Sequence, residues 1–239
     1  MNNLIIVRHG QSVWNAQNKF TGWVNVDLSN KGKKEAQTAG KLLGSINLKN
    51  LHAFTSFLDR AIETLDIIIK SAKISNISIQ KAWQLNERHY GSLTGLNKEE
   101  TKNKLGEKLY LKYRRSWDTK PPDINYSKNQ QLMFGELFKK IPKSSIPYSE
   151  SLKDTYNRVI PYFNETVIPL LKNNRDVLIV AHGNSLRALC KKIFNIDNKT
   201  INLLEIPTGN PMHIILEDDF TVNKTYYLDN KRGVNIIKN

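Results

Sequence analysis

Two histidine-glycine pairs stand out because each follows a short apolar run. Residues 5–12 read IIVRHGQS and residues 178–185 read LIVAHGNS, so in both an amide residue and a serine follow the glycine. An Arg-His-Gly triplet is expected by chance only about 0.01 times in a chain of this composition. The pair at His182 is weaker, since alone it fits a buried structural histidine equally well. A neutral imidazole is a nucleophile near pH 7, and a phosphorylated one can pass its phosphoryl group on.

The elements that must position these histidines alternate between strand and helix. Apolar runs predict strands near residues 4–7, 53–56, 77–80 and 177–181. Helical periodicity is found over residues 27–43, with Ser29 as N-cap, in the segment that carries Arg60, over 152–171 and from 185 to 194. Pro161 is expected to kink or break its helix. This order predicts a three-layer α/β/α fold, a mostly parallel sheet with helices on both faces.

The predicted fold brings the two histidines together. Ligands of open α/β sheets bind outside the carboxyl ends of the strands. His9 and His182 both follow a predicted strand end, although 173 positions separate them in the sequence. We therefore expect both imidazoles at one crevice.

Length and composition predict one globular domain. The chain has 239 residues, of which 39% are hydrophobic and 24% charged. A single cysteine excludes an internal disulfide and zinc sites built from several thiolates. The apolar runs are far shorter than the roughly 20 residues of a membrane-spanning helix, and the amino terminus lacks the pattern of a secretion signal. We expect a cytoplasmic protein that does not bind membranes.

The net charge of +14 raises the alternative of an RNA or acidic-surface binder. Against it, the 27 lysines are scattered along the chain and no aromatic-basic RNA signature is present. Arginine occurs only nine times, so its positions are the more informative ones. We expect no nucleic-acid partner.

Two segments differ in amino-acid composition from the rest of the chain. Residues 97–147 are polar, rich in lysine and interrupted by proline, which predicts an insertion or lid on the sheet. Residues 230–239 are predicted to form a flexible carboxyl-terminal tail.

Six motifs in chain order carry a family resemblance. They are RHGQSxWN at residues 8–15, FTGW at 20–23, TSxLxRAxxT at 55–64, LNERHYGxLxGLNK at 85–98, the pair Arg114-Arg115, and AHGNSLRA at 181–188. Together with IPTG at 206–209, they resemble the cofactor-dependent phosphoglycerate mutases of the histidine phosphatase superfamily. The Arg-His-Gly triplet alone indicates only the superfamily, whereas the block at 85–98 and the arginine pair resemble the mutase branch.

The resemblance implies a reaction and a catalytic set. The reaction is the interconversion of 3-phosphoglycerate and 2-phosphoglycerate in glycolysis and gluconeogenesis, primed by 2,3-bisphosphoglycerate and without a metal. His9 would be the phosphorylated residue and Glu87 the acid/base, while Arg8, Arg60 and His182 would surround the phosphoryl group. A bisphosphoglycerate mutase or a phosphatase is the neighbouring alternative.

The resemblance also implies the substrate contacts and the assembly. Small phosphorylated acids would be bound by Asn15, Thr21, Gly22, Tyr90, Lys98, Arg114, Arg115, Gly183 and Asn184, and the protein would form a homo-oligomer, a dimer or a tetramer. The family commonly has glutamate where this chain has Gln11. We hypothesise that the neutral side chain leaves the pocket more positive and alters the lifetime of phosphorylated His9.

Overall fold

A computed structural model of the chain describes residues 2–125, 136–173 and 175–234. Its strands are β1 at Asn2–Arg8, β2 at His52–Thr55, β3 at Ser78–Lys81, β4 at Val177–Ala181, β5 at Met212–Leu216 and β6 at Val222–Tyr227. They form one sheet in the order β3-β2-β4-β1-β5-β6.

The sheet is parallel through β3, β2, β4 and β1, as the alternating pattern predicts. Beyond β1, strands β5 and β6 are antiparallel and make the sheet mixed. The sequence analysis did not identify these two strands. β6 carries several polar side chains and lies at the sheet edge, so its strand pattern is weak.

Helices cover both faces of the sheet. They are α1 at Val13–Ala16, α2 at Asn30–Leu43, α3 at Asp59–Ala72, α4 at Lys98–Leu105, α5 at Glu107–Arg115, α6 at Leu152–Tyr162, α7 at Ile168–Lys172 and α8 at Gly183–Ile193. Short 3₁₀ segments lie at Trp83–Leu85, Gly91–Leu93, Lys143–Ser145 and Thr200–Leu203.

The hydrophobic core has two parts, one on each face of the sheet, because the side chains of each strand point alternately to the two faces. Ile5 and Val7 of β1 pack with Leu43 of α2 and Leu65 of α3. Leu4 and Ile6 face the other way, into the cluster that contains residues of α6 and α8. Because successive strand residues point to opposite faces, this split produces the three-layer α/β/α arrangement that the sequence predicts.

Two helix predictions need correction. Pro161 lies inside α6, and the helix neither breaks nor ends there; it continues through a π-helical segment, Phe163–Val167, into α7. Proline has no backbone N–H and so removes one hydrogen bond of the helix; a π-helical turn changes the backbone pairing locally and lets the helix continue. α8 begins at Gly183, two residues before the predicted start, because His182 itself is the N-cap. Ser29 caps α2 as predicted, accepting from the amide of Gly32 at 3.1 Å.

The predicted insertion at 97–147 contains α4 and α5, while its residues 126–135 lie outside the described ranges. Tyr110 of α5 packs on Phe20, and Ile124 and Ile141 pack in the cluster around Trp23. Of the predicted tail, residues 230–234 are described; Arg232 donates to the carbonyl oxygens of Thr208 and Gly209. The flexibility of residues 235–239 stays a prediction. No helix in the described part of the chain is long and apolar enough to cross a membrane.

Candidate active site

Strand register brings the two histidines together. Arg8 of β1 pairs with Ala181 of β4, so His9 and His182 are the next residue on each of two adjacent parallel strands. Their ring centroids lie 4.9 Å apart, and both side chains are buried. The two histidine-glycine pairs of the sequence are thus neighbours in the structure, at the carboxyl ends of β1 and β4.

The hydrogen bonds of His9 fix its tautomer. Its Nδ1 lies 2.7 Å from the carbonyl oxygen of Gly10, which can only accept, so Nδ1 carries the proton. Nε2 therefore holds the lone pair, and the Nε of Arg60 donates to it at 3.3 Å. Burial, with the charges of Arg60 and Arg8, lowers the pKa of His9 well below its ordinary value of 6.5. The imidazole is therefore neutral and nucleophilic at Nε2.

Three hydrogen bonds hold Arg60 beside His9. Its Nη1 donates to the carbonyl of Val24 at 2.9 Å and its Nη2 to that of Gly22 at 2.8 Å. Burial lowers the pKa of Arg60 to about 10, which still leaves it charged at neutral pH. Gly22 thus helps to orient this guanidinium, and its contact with substrate stays a prediction.

Arg8, the last residue of β1, supplies a second cation. Its Nη1 donates to the carbonyl of Ile206 at 3.0 Å, and its buried Nε has no partner among the described residues. A Cβ on Gly183 would lie 3.5 Å from that Nε, so Gly183 leaves the guanidinium accessible. An unpartnered buried donor indicates a site for an anion.

Close backbone packing holds the loop after β1. A Cβ on Gly10 would lie 2.3 Å from the carbonyl oxygen of Gly32, and one on Gly32 would lie 2.1 Å from that of Gln11. Only glycines allow α2 to approach the nucleophile loop this closely. The side chain of Gln11 accepts from the hydroxyl of Ser29 at 2.9 Å, and its effect on phosphorylated His9 stays a prediction.

Glu87 lies at the amino end of α8, the helix that follows His182. Three donors hold its Oε1: the amide of Arg88 at 2.8 Å, and the backbone amide and side-chain Nδ2 of Asn184 at 3.1 and 2.9 Å. Its Oε2 accepts no hydrogen bond from the described residues and lies 3.7 Å from where a Cβ on Gly183 would be. One carboxylate oxygen is thus anchored, and the other is left for proton exchange.

Tyr90 closes this network. Its hydroxyl accepts from the Nδ2 of Asn184 at 3.0 Å, and the guanidinium of Arg88 lies over its ring at 4.7 Å. Burial alone would raise the pKa of Tyr90, but the charges of Arg88 and Lys98 and a hydrogen bond from Arg88 outweigh it and lower that pKa. The phenol of Tyr90, which lines the cavity, is therefore more acidic than that of an ordinary tyrosine.

A cavity of about 320 Å³ opens above these groups. His9, Arg60 and His182 are too deeply buried to be among its lining residues. The predicted residues that do line it are Arg8, Asn15, Thr21, Glu87, Tyr90, Lys98, Arg114, Arg115, Gly183 and Asn184. The cavity is rich in cationic and amide groups, as a site for a small phosphorylated acid requires.

Three cationic side chains of the cavity lining, Lys98, Arg114 and Arg115, belong to the predicted insertion at 97–147; they are called the outer cations. Lys98 is the first residue of α4, and burial lowers its pKa. Arg114 and Arg115 end α5, and Arg115 forms an ion pair with Glu205, which also lines the cavity. Asn15 accepts the amide of Ser12 at its Oδ1, which leaves its Nδ2 as a donor.

The sequence analysis missed three arginines, of which Arg88 and Arg187 are buried and Arg158 is partly buried. Arg187 lines the cavity and donates from Nη1 to the Oδ1 of Asn184 at 2.9 Å. Arg88 donates to the carbonyl of Arg114. Arg158 donates to the carbonyls of Gln84, Asn86 and Glu87. The signal was there, since Arg88 and Arg187 lie inside motifs of the resemblance. Within residues 2–125, 136–173 and 175–234, no group of three or more His, Cys, Asp or Glu side chains is placed to hold a metal ion.

Solved structures share this fold. A putative alpha-ribazole-5'-P phosphatase of Escherichia coli superposes with a TM-score of 0.70 at 16% identity, covering 98% of this chain and 100% of the other. A mycobacterial glucosyl-3-phosphoglycerate phosphatase, solved with VO3, gives 0.70 at 21% identity, covering 95% and 97%.

Sequence comparisons are more specific. The model of the histidine phosphatase superfamily (branch 1) matches residues 4–133 and 125–228. A 2,3-bisphosphoglycerate-dependent phosphoglycerate mutase of Pelagibacter ubique is 48% identical over 237 residues, which cover 99% of each chain. A protein of the same name from Thermobifida fusca is 44% identical over an alignment of 248 residues, covering 100% of this chain and 99% of the relative. The chain therefore belongs to the histidine phosphatase superfamily and, within it, to the family of 2,3-bisphosphoglycerate-dependent phosphoglycerate mutases.

Proposed function

We propose that this protein interconverts 3-phosphoglycerate and 2-phosphoglycerate in glycolysis and gluconeogenesis, through a phosphorylated His9. The observation that carries the proposal is the neutral His9 imidazole, with its Nδ1 proton held by Gly10 and its Nε2 lone pair directed at Arg60. Full-length relatives at 43–48% identity, which bear the mutase name, support the same reaction.

His9 acts as the nucleophile at Nε2. The transfer is divided into two in-line displacements: the first moves the phosphoryl group from the charged His9 to the free hydroxyl of phosphoglycerate, and the second moves the group on the other oxygen to His9. Forming the phosphorus–nitrogen bond removes the lone pair that Arg60 contacts, so Arg60 Nε becomes available to a phosphoryl oxygen. The Gly10 carbonyl keeps the ring oriented throughout.

Arg8, Arg60 and His182 neutralise the transferring group, which spreads its charge over three oxygens. Arg8 Nε and His182 Nδ1 are buried and have no partner among the described residues, so both are available to those oxygens. Asn15 and the backbone amide of Gly183, at the amino end of α8, add neutral donors and a favourable helix dipole. Asn184 acts through Glu87 and Tyr90, to which its donors are already bonded.

Glu87 transfers the proton. Its Oε1 is anchored by Asn184 and Arg88, so Oε2 takes the proton of the attacking hydroxyl and returns it to the departing one. The substrate's carboxylate and phosphate are bound by the outer residues of the cavity, which are Thr21, Tyr90, Lys98, Arg114 and Arg115.

The residues also fit 2,3-bisphosphoglycerate. When bound, this compound supplies the phosphoryl group that first charges His9. The unpartnered Arg8 Nε beside His9 suits one phosphate, and the cations Lys98, Arg114 and Arg115 suit the second phosphate and the carboxylate.

We further propose a cytoplasmic homo-oligomer, a dimer or a tetramer, with no nucleic-acid or membrane partner. All four residues of β3 are exposed at the sheet edge, which supports pairing with a second copy. Light scattering tests the assembly. A salt titration tests nucleic-acid binding, because a true binder loses affinity steeply with ionic strength.

The testing experiment is a coupled mutase assay in EDTA with 2,3-bisphosphoglycerate as primer. We expect full activity in the wild type and none in His9→Gln. The matched control is His52→Gln, a histidine at the opposite end of β2 that should retain activity. Activity lost in EDTA, or retained by His9→Gln, would contradict the proposal. If phosphate release outpaces product formation, the phosphatase alternative is correct.

A further inference from the structure

Ser56, which has no role in the scheme above, contacts the second histidine directly. It is the first residue after β2, and His182 is the first after β4. Thr55 pairs with Val180 across these parallel strands, so Ser56 is level with Ala181, the residue before His182. The Oγ of Ser56 lies 2.7 Å from the Nε2 of His182, and both side chains are fully buried.

The other hydrogen bond of Ser56 decides the direction of this one. The backbone amide of Leu58 donates to Oγ at 3.1 Å, so Oγ is the acceptor in that contact. If Nε2 also donated to Oγ, the hydroxyl hydrogen would be buried without an acceptor among the described residues. A buried donor left unpaired is strongly disfavoured. A ring proton on Nδ1 is also unpaired in the unliganded protein, but a bound anion can accept it, whereas no described group can accept from the hydroxyl. Every donor is therefore paired in the liganded site only when the hydroxyl donates to Nε2 and Nε2 carries the lone pair.

We propose that Ser56 sets the tautomer of His182, so that its Nδ1 carries the proton and donates it to the phosphoryl group at His9. The Nδ1 atom is buried and has no partner among residues 2–125, 136–173 and 175–234, as expected of a donor reserved for a ligand. Ser56 is thus a positioning residue that acts through His182.

The neutral state of His182 makes the tautomer decisive. Burial, with the charge of Arg60, lowers the pKa of His182 well below 6.5, so the ring has one proton to place. On Nε2 that proton would leave the Nδ1 lone pair facing negatively charged oxygens. On Nδ1 it makes a hydrogen bond to them. The same Nδ1–H tautomer serves two purposes, since in His9 it exposes a nucleophile and in His182 it exposes a donor.

The direct test is the nitrogen-15 NMR spectrum of the wild-type protein without substrate, which shows which ring nitrogen of His182 is protonated. The signals are assigned by their loss in His182→Gln. We expect protonated Nδ1 and unprotonated Nε2. The opposite pattern overturns the proposal, and this measurement needs no Ser56 variant to fold.

The second test compares Ser56→Ala with Ser149→Ala, a matched loss of a buried hydroxyl that bonds Asp123 instead. We expect Ser56→Ala to move part of the proton to Nε2 and to lower kcat about 10- to 100-fold with little change in KM. Ser149→Ala should keep the wild-type tautomer and kcat. An unchanged tautomer in Ser56→Ala overturns the proposal.

The kinetic part rests on the proposed function, whereas the tautomer does not. If the wild type lacked mutase activity but showed Nδ1 protonation that Ser56→Ala removed, the proposed function would fail and the tautomer assignment would stand. If the wild type had normal mutase activity but carried the His182 proton on Nε2, the proposed function would stand and the tautomer assignment would fail.

Discussion

The guanidinium of Arg187 determines which way the amide of Asn184 points. Its Nη1 donates to Oδ1 at 2.9 Å, which turns Nδ2 toward Glu87 and Tyr90. The carbonyl of Ile201 accepts from its Nη2 and holds the guanidinium in place. A buried arginine outside the reacting atoms thus orients the proposed acid/base.

Replacing Arg187 should therefore weaken catalysis without a direct contact to the reaction. In Arg187→Met the Asn184 amide is free to rotate, and Glu87 loses a fixed donor. We expect kcat/KM to fall about 10- to 100-fold, with a changed pH profile of kcat. Steady-state assays check this against Arg175→Met, an exposed arginine at the other end of the sheet. Equal activities of the two variants would contradict the prediction.

Arg60→Lys should be severely impaired although the charge is kept. An ammonium cannot reproduce the two carbonyl bonds to Val24 and Gly22 together with the contact to His9 Nε2. We expect kcat to fall about 100-fold or more. The assay is paired with chemical denaturation, so that a folded but inactive variant can be distinguished from an unfolded one. A variant within a few-fold of wild type would show that rigid positioning is unnecessary.

The histidines should make the protein less stable as pH falls. Burial lowers the pKa of His9, His182 and His89, the last to about 4, so these rings stay neutral when folded. The unfolded chain binds protons below about pH 6.5 while the folded chain does not, so stability is full above 6.5 and decreases toward the folded pKa.

Each histidine that stays neutral should lower the free energy of unfolding by about 1.4 kcal/mol between pH 7.5 and 5.5. Urea denaturation at the two pH values measures this, and His89→Gln should reduce the difference. A stability that is the same at both values would show that the histidines titrate normally in the folded state.

Arg158→Met should destabilise the fold strongly. Arg158 forms a buried ion pair with Glu150 at 2.7 Å and holds the backbone that carries Glu87. Removing one member of a buried pair typically costs about 3–5 kcal/mol, because the other charge is left unpaired. Chemical denaturation of Arg158→Met, Glu150→Gln and the double variant tests this. Strict additivity would indicate that the two residues act independently.

Much of the fold follows from local patterns in the sequence. The apolar run at Leu4–Val7 and the cap at Ser29 are encoded within a few residues, so β1 and α2 are predictable. Strands β5 and β6 are not, because they depend on antiparallel pairing with β1 and with each other. Pro161 was expected to kink or break its helix; the helix does not break, because the whole segment packs against the core and stays helical through a π turn.

Some residues of the candidate site could be predicted from the sequence and others could not. His9 and His182 could be placed from strand ends, and the outer cations from the resemblance. Arg187 could not be placed from helical periodicity, because an arginine on an amphipathic helix predicts a solvated face; its position inside the motif AHGNSLRA was the available signal, and the contact with Asn184 shows its role. The bond from Arg60 to the Gly22 carbonyl could not be predicted either, because it joins segments 38 positions apart in the chain.

The central claim is that the His9 ring accepts a phosphoryl group. Intact-mass spectrometry of protein treated with 2,3-bisphosphoglycerate, kept under alkaline conditions, measures this directly. The account predicts one added phosphoryl group in the wild type, localised to His9 and absent from His9→Gln. A treated wild type that shows no adduct, or an adduct of the same yield in His9→Gln, would contradict it.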